Sequence, residues 1–396
     1  ARESVSRESG IYDGEHIDLT AKKKPLTPVV VPFDKGALAE QMCELVRTTG
    51  RIPVKEVIRT PAGELVYDFG QNLVGVVEVK TPENFAGTLT LRHAEILVNG
   101  NFYTDNLRSA RATDTFTCRG AHTLSAEFTF HGFRYLKVEG AELPKECFTA
   151  LVRHTDMKRT GYLQTDNARF QRLYENVVWG QRGNFVDVPT DCPQRDERLG
   201  WTGDINVFCR TAAYNFDIRA FMKKWLADLR ADQTEDGVPF VVPDIFAEGT
   251  SDALWSDCVT MIPWTLYEMY GDVCFLSDNF EAMKRHLRAV RKHLKDGLVA
   301  SGHQYGDWLA MDGERCFGDA GGGTDVWYLA NVFYAVSLRI VADAARILGD
   351  RDAEKFRKEY ERHLSRIRRE YFTASGRLAF STVTAEAVAL HFSVVS

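Results

Sequence analysis

The spacing of apolar positions changes once along the chain, near residue 155. Before it, short runs alternate apolar and polar side chains and are separated by turn residues. The runs at 65–67, 74–80, 88–93, 113–117, 127–130 and 135–139 predict strands, and Val74, Val76, Val77 and Val79 supply β-branched side chains suited to a pleated surface. Asn99-Gly100 and Arg119-Gly120 provide turn chemistry between runs. Short strands at this repeated spacing predict an antiparallel β-sandwich. One amphipathic run at 37–47 predicts a short helix ahead of it.

After residue 160 the period becomes helical. Asp166 is a predicted N-cap for a helix with Phe170, Leu173, Tyr174, Val177 and Val178 on one face. Phe221, Trp225 and Leu229 recur at spacing four in the next clear helix. The run at 254–270 predicts a buried helix interrupted at Pro263. Further helices are expected at 279–294, at 324–348 (the most apolar), at 353–371 and from about Thr382. The loops between them are unequal. Those at 187–203, 236–253 and 297–323 are long and rich in Asp, Gly, Pro and Trp, and long loops in a compact domain are usually functional or disordered. Antiparallel helix pairing would gather such loops around one mouth.

A chain of 396 residues exceeds what one hydrophobic core usually holds, about 250–300 residues, so two or more domains are expected. The net charge of −6 is mild. No basic stripe of the kind that nucleic acid requires is present, and Lys22-Lys23-Lys24 reads as a solvated loop. No stretch resembles a membrane-spanning helix, so no membrane partner is expected. The eight cysteines (Cys43, Cys118, Cys147, Cys192, Cys209, Cys258, Cys274 and Cys316) form no Cys-x-x-Cys pair. That argues against zinc and for buried free thiols in a reducing, cytoplasmic setting. The first residues lack the apolar core of a signal peptide. No EF-hand spacing occurs, and neither cofactor nor metal is expected.

The segment 187–204 concentrates chemistry. It holds five acids (Asp187, Asp191, Asp196, Glu197, Asp204), Arg195, Arg198 and Trp201, with Pro189, Pro193, Gly200 and Gly203 preventing one regular helix. A surface salt-bridge loop is the plain reading. The embedded Trp201, prolines and Cys192 point instead to an ordered, partly buried loop, where carboxylates need partners or shifted protonation. Arg195 and Arg198 are available as partners, and mixed acids in such a setting can be driven into different protonation states, as acid catalysis near neutral pH requires.

The run Asp191-Cys192-Pro193-Gln194-Arg195-Asp196-Glu197-Arg198-Leu199-Gly200-Trp201-Thr202-Gly203-Asp204 resembles the signature of bacterial α-L-rhamnosidases, glycoside hydrolase family 78. Other segments are similar to the family in the same order. Tyr12-Asp13-Gly14-Glu15-His16-Ile17-Asp18 resembles the end of its N-terminal β-domain. Asp68-Phe69-Gly70-Gln71-Asn72, Leu91-Arg92-His93-Ala94-Glu95, Tyr103-Thr104-Asp105-Asn106 and Phe128–Tyr135 resemble its sandwich. Tyr305-Gly306-Asp307-Trp308 and Gly323-Thr324-Asp325 resemble later barrel loops. The resemblance implies a β-sandwich followed by an (α/α)6 barrel, with domains at 1–30 (the end of a β-domain), 31–155 (sandwich) and 156–396 (barrel). It also implies removal of terminal non-reducing α-L-rhamnose with inversion. Glu197 corresponds to the general acid, and Asp191, Arg195 and Asp204 to residues holding rhamnose hydroxyls. Trp201, Trp255 and Trp308, with Asp307, correspond to the pocket wall. An acid protonates the departing oxygen while a base activates water on the opposite face, and the apolar patches of rhamnose suit tryptophan faces.

Each of these residues has a plainer role open to it. Arg195 can neutralise Asp191 or Asp196, Asp204 can cap a helix, Asp307 can serve a turn, and the tryptophans can be core. His131 and Arg134 read as packing and pairing. The chain also departs from the family. Roughly seven or eight of twelve barrel helices can be placed, so the barrel is expected to be incomplete in this chain. No segment matches the family's general base, expected beyond Ser396; neither Glu314 nor Glu386 fits its motif. Val383 stands where members often carry Gln. A non-catalytic carbohydrate-binding fragment, or another (α/α)6 glycosidase or lyase, are the alternatives.

Overall fold

The computed structural model describes residues 5–22, 27–32, 38, 40–246, 249–310 and 322–395. It consists of two compact units, Ala1–Lys158 with Tyr162–Leu199, and Arg159–Gly161 with Gly200–Ser396.

The first unit contains β1 (Ser6–Gly10), β2 (Gly14–Asp18), β3 (Val46–Pro53), β4 (Glu56–Arg59), β5 (Leu65–Thr81), β6 (Ala86–Ala94), β7 (Ile96–Val98), β8 (Asn101–Tyr103), β9 (Thr113–Arg119), β10 (His122–Leu124), β11 (His131–Glu139) and β12 (Phe148–Thr155). Ten strands join in one curled sheet in the order β1-β2-β9-β6-β11-β5-β12-β3, with β4 and β10 also on β5. All pairs are antiparallel except β2 with β9. Separately, β7 and β8 form a hairpin whose turn is Asn99-Gly100, as the sequence predicts, and both residues adopt positive φ.

Two runs expected as separate strands, 65–67 and 74–80, are one 17-residue strand, β5. Its glycines explain the continuity. Gly75 lies so close to β12 that a Cβ there would meet the Leu151 carbonyl at 1.9 Å, so a strand carrying a side chain at this point could not keep that pairing. The core joins Tyr67, Phe69, Phe116, Phe133 and Phe148 with Leu89, Leu91 and Leu136.

The run at 127–130 is not a strand. The Glu15 carboxylate accepts from the amides of Glu127 and Phe128 at 2.7 and 2.9 Å, which removes them from any ladder. The helix expected at 37–47 falls partly outside the described residues; 40–45 are irregular, and Val46 begins β3, which is paired to β12. Helix α1 (Ala168–Asn184) is capped by Asn167 rather than Asp166: the Asn167 side chain accepts from Arg169 and Phe170 N–H. Phe170 and Leu173 on its expected apolar face are 52% and 56% exposed.

The second unit contains α2 (Thr202–Asn215), α3 (Arg219–Asp232), α4 (Cys258–Tyr270), α5 (Cys274–Ser277), α6 (Phe280–Arg291), α7 (Val326–Leu348), α8 (Ala353–Tyr371) and α9 (Val383–His391). Phe221, Trp225 and Leu229 are fully buried on α3. Pro263 lies inside α4 without ending it; α4 starts later than expected because the Asp257 carboxylate accepts the Leu254 amide at 2.9 Å, and holds the preceding residues in a turn. The other Asp257 oxygen accepts from His286 Nε2 and Ser337 Oγ at 3.0 and 2.5 Å, tying together α4, α6 and α7. Leu338 and Val341 of α7 pack on Phe280, Met283 and Leu287 of α6. Contrary to the sequence expectation, α7 is long and apolar enough to cross a membrane, but 89% of its apolar window is buried inside the protein, as in the core helix of a soluble domain. Thr382 caps α9 by accepting from Ala385 N–H, while Val383 is 80% exposed.

Among the described residues, Cys118, Cys192, Cys209 and Cys258 are buried free thiols, Cys43 and Cys147 are half-buried and Cys274 is exposed. Cys316 and Glu314 lie outside the described residues.

Candidate active site

The acid-rich loop of the first unit is closed on itself. Asp191 N–H donates to the Leu199 carbonyl, and Leu199 N–H donates to Asp191 Oδ1, both at 3.0 Å. Within this ring Arg195 reaches two carboxylates, Asp191 Oδ2 at 3.6 Å and Glu197 Oε2 at 3.0 Å. Burial opposes the charge of Arg195, while the Glu197 and Asp191 carboxylates beside it favour that charge. The expected trio Asp191, Arg195 and Glu197 is therefore assembled, with the Asp191 side chain 7% and that of Glu197 19% exposed. Asp191 is at once a loop staple and a candidate ligand group.

The sandwich grips this loop from outside. Tyr12 donates its hydroxyl to the Glu197 carbonyl at 2.8 Å. Arg108 donates to Glu197 Oε2 at 3.0 Å. Ser109 Oγ donates to Asp196 at 2.5 Å, which holds that carboxyl below the usual range. The sequence offered Arg198 as a carboxylate partner, but among the described residues it binds main-chain carbonyls instead. Its guanidinium donates to the carbonyls of Ile11 and Phe130 (both 2.7 Å) and of Gln194 and Arg195 (both 3.1 Å), over the rings of Tyr12 and Phe130. Burial lowers it to about 10. A groove of about 770 Å³ in the same unit is bordered by Trp179, Asn184, Glu95, Gln194, Asp191 and Arg195.

In the second unit Trp201, Trp255 and Trp308 belong to one aromatic cluster. Tyr305 is its hub, with ring centroids 4.7 Å from Trp255, 5.3 Å from Trp308 and 6.3 Å from Trp201. Trp255 is buried, Trp201 half-buried and Trp308 exposed. Gly203 makes room for this packing, since a Cβ there would lie 2.7 Å from the Trp255 ring. Asp307 accepts from Thr324 Oγ1 at 2.8 Å, and Thr324 in turn shares a hydrogen bond with Thr382. Asp204 is exposed in the first turn of α2 but is not the cap; that position is held by Trp201, whose side chain makes no capping hydrogen bond. Asp252 is fully buried and accepts from His303 Nδ1 and Tyr305 N–H at 3.0 and 2.8 Å. Burial pushes it up to about 8 against the Tyr305 amide.

Two groups in the first unit bring cation-ligating atoms within 4.8 Å of one another. In Asp191, Cys192 and Glu197 the carboxylates already face guanidinium groups, and burial pushes the Cys192 thiol up to about 12, far from a thiolate ligand. In His93, Asp114 and His131, Asp114 accepts from His131 Nε2 at 3.2 Å, and His93 donates Nδ1–H to the Ala112 carbonyl. Burial, followed by the neighbouring His131, disfavours positive charge on His93, and Arg198 adds a smaller push in the same direction. This knot is chemically a hydrogen-bonded core feature. The expected pairing of Arg134 holds: it grips Asp68 with two bonds of 2.8 Å.

Reading the sequence did not place Arg108, Ser109 and Tyr12 beside Glu197, or Phe240, His303 and Asp252 around Tyr305. Two signals were available: Arg108 closely follows a segment that the sequence singled out, Tyr103-Thr104-Asp105-Asn106, and Tyr12 opens another, Tyr12–Asp18.

Comparison with known proteins identifies both domains. A bacterial alpha-L-rhamnosidase 6 hairpin glycosidase domain matches residues 158–396, and a bacterial alpha-L-rhamnosidase concanavalin-like domain matches residues 58–155. An alpha-L-rhamnosidase of Streptomyces avermitilis is 39% identical over 356 residues, 88% of this chain and 34% of that protein. One of Alteromonas sp. is 36% identical over 382 residues, 91% of this chain and 41% of that protein. The chain thus spans well under half the length of these relatives. Among solved structures, the Streptomyces avermitilis alpha-L-rhamnosidase complexed with L-rhamnose superimposes with a TM-score of 0.89 at 34% identity, covering 99% of this chain and 39% of that one. The native rhamnosidase of Aspergillus terreus gives 0.91 at 32% identity, covering 99% and 48%. With a β-sandwich, a helical-hairpin domain and the acid-rich loop all matched, the chain belongs to the bacterial alpha-L-rhamnosidase family.

Proposed function

We propose that this chain carries the acid-catalytic part of an α-L-rhamnosidase that hydrolyses terminal rhamnosides with inversion. The observation that carries the reading is the setting of Glu197: a carboxyl in an internally closed loop, fixed at its backbone by Tyr12 and at Oε2 by two guanidinium groups. Such a group is held still enough to deliver a proton along one direction. Asp191 and Arg195 beside it are hydrogen-bonding groups suited to sugar hydroxyls. In the second unit, Trp201, Trp255 and Trp308 offer ring faces suited to the apolar patches and methyl group of rhamnose, with Asp204 and Asp307 as acceptors. Inversion requires a second carboxylate as base, and no residue here is assigned to it. A rhamnose-containing glycoside is the substrate class.

The test is hydrolysis of p-nitrophenyl α-L-rhamnopyranoside by the native protein, with the product anomer followed by NMR. Release of β-L-rhamnose is expected. Glu197→Gln should lower turnover about 10²–10⁴-fold, the usual span of general acid catalysis, on a rhamnoside with a poor leaving group, while rhamnose binding persists. Near-normal turnover of that variant would sink the assignment. Rhamnose binding by the unmodified protein without any turnover would favour a carbohydrate-binding role.

A further inference from the structure

Arg108 follows the single helical turn Asp105–Leu107 and adopts φ 56°, ψ −120°. A non-glycine residue at positive φ is uncommon and costs conformational energy, which persists only where the surroundings over-determine it. Leu107 and Ala110, both buried, fix the backbone on either side. The side chain is not core, being 54% exposed, and its ion-pair partners are Glu197 Oε2 at 3.0 Å and Asp196 at 3.9 Å. Exposed ion pairs contribute little to stability. The strain at Arg108 is therefore poorly explained by the fold energy it returns.

We propose that Arg108 is a positioning residue for rhamnoside cleavage, holding Glu197 by Oε2 and stabilising the charge that its carboxyl gains as the proton leaves. The proposal rests on the reading of Glu197 as general acid. In the reaction the O–H bond of Glu197 breaks as the glycosidic C1–O bond breaks. The proton goes to the departing oxygen, which keeps the bonding electron pair, and Glu197 is left ionised. Water attacks C1 and loses its proton to the carboxylate base that inversion requires. A fixed positive charge beside Glu197 favours the charge-developing step and needs no reorganisation.

Other groups around Glu197 are Arg195 at 3.0 Å, and Asp191 and Cys192, whose ligating atoms lie within 4.8 Å of the carboxylate. Asp196 shares Arg108 and is itself held by Ser109. Arg195 belongs to the same closed loop as Glu197 and moves with it. Arg108 comes from a different segment, 89 residues earlier, and so fixes the carboxyl against the sandwich.

The experiment compares Arg108→Met, Arg108→Lys and Glu197→Gln in the native protein on two rhamnosides. One has a 2,4-dinitrophenyl leaving group, which departs without protonation; the other has a methyl leaving group, which needs it. Arg108→Met should lose about 10–100-fold in kcat/KM on the methyl rhamnoside and no more than about threefold on the dinitrophenyl one, with Arg108→Lys restoring part of the loss. Equal losses on both substrates, or loss on neither, would overturn the proposal. If Glu197→Gln also fails to discriminate between leaving groups, the acid reading itself falls. If Glu197→Gln discriminates and Arg108→Met does not, only the role of Arg108 falls. Thermal unfolding of each variant separates lost folding from lost chemistry.

Discussion

Tyr12 donates its phenolic hydroxyl to the main-chain carbonyl of Glu197, 185 residues later in the chain, at 2.8 Å. The bond fixes the backbone of the proposed acid to the turn between β1 and β2. A net hydrogen bond is worth about 1 kcal/mol, so Tyr12→Phe should lower unfolding stability by about that amount. Misplacing a catalytic group by an ångström can cost orders of magnitude in rate. Turnover on a poor-leaving-group rhamnoside should therefore fall more, about tenfold, than stability alone explains. Unchanged turnover alongside reduced stability would show that the contact serves folding only.

Arg198 presents a larger effect. Its guanidinium satisfies four carbonyls, of Ile11, Phe130, Gln194 and Arg195, while itself almost fully buried. Arg198→Met keeps the apolar stem and leaves those oxygens without their donor. Each buried polar group left unpaired costs about 1–3 kcal/mol, so a total near 3 kcal/mol or more is expected after relaxation and entry of water. Arg198→Lys should rescue poorly, because one ammonium cannot reproduce the planar fork. Urea unfolding of the three proteins checks this; full rescue by lysine would mean that charge alone matters.

His93 makes the first unit sensitive to acid. Burial, with the neighbouring His131, lowers it to about 3 from an ordinary 6.5. Between those values the unfolded chain binds a proton that the folded chain refuses, so stability falls as pH drops from about 6.5 towards 3. The loss is on the order of a few kcal/mol, at 1.36 kcal/mol per pH unit. Asp114, held below its usual range although burial alone would raise it, adds its own loss only under 3.8. His93→Gln should reduce, without abolishing, the fall in stability between pH 6.5 and 4, because burial also holds His154 of the same unit below its ordinary value; the change is read through hydrogen exchange of the β6 and β11 amides. An unchanged slope would refute the assignment to His93.

What could be read from the sequence was local. The α8 segment shows as a stripe with its own period, and Phe221, Trp225 and Leu229 mark the buried face of α3. Asp191, Arg195 and Glu197 are neighbours in the chain, so their meeting in space required only that the loop close. Whatever depended on distant partners was hidden. Nothing at residues 127–130 shows that Glu15 captures two of their amides. Nothing in the loop shows that Arg198 will serve carbonyls of Ile11 and Phe130 instead of carboxylates. Asn167 displaced Asp166 as the cap of α1 through one residue of register, a distinction set by backbone geometry. The same limit hid Arg108, whose partner lies 89 residues away.

Two helical glycines should respond in opposite directions to the same change. At Gly180 of α1 an added Cβ meets nothing within 4 Å, whereas at Gly203 of α2 it would lie 2.7 Å from Trp255 Cε2 and 2.8 Å from its Nε1. Glycine inside a helix is less favourable than alanine by about 1 kcal/mol, so Gly180→Ala should stabilise the protein by up to that amount. Gly203→Ala gains the same helix propensity but drives a methyl into a buried indole, and overpacking costs about 1–3 kcal/mol. Trp255 cannot move freely, since Tyr305 lies 4.7 Å away between ring centroids and Trp308 6.5 Å away. Gly203→Ala should therefore destabilise, shift the tryptophan emission, and weaken rhamnose binding at the proposed aromatic wall. If it instead stabilised like Gly180→Ala, with unaltered emission, Trp255 would be free to give way, and the close fit of α2 against the aromatic cluster would not be what holds that wall in place.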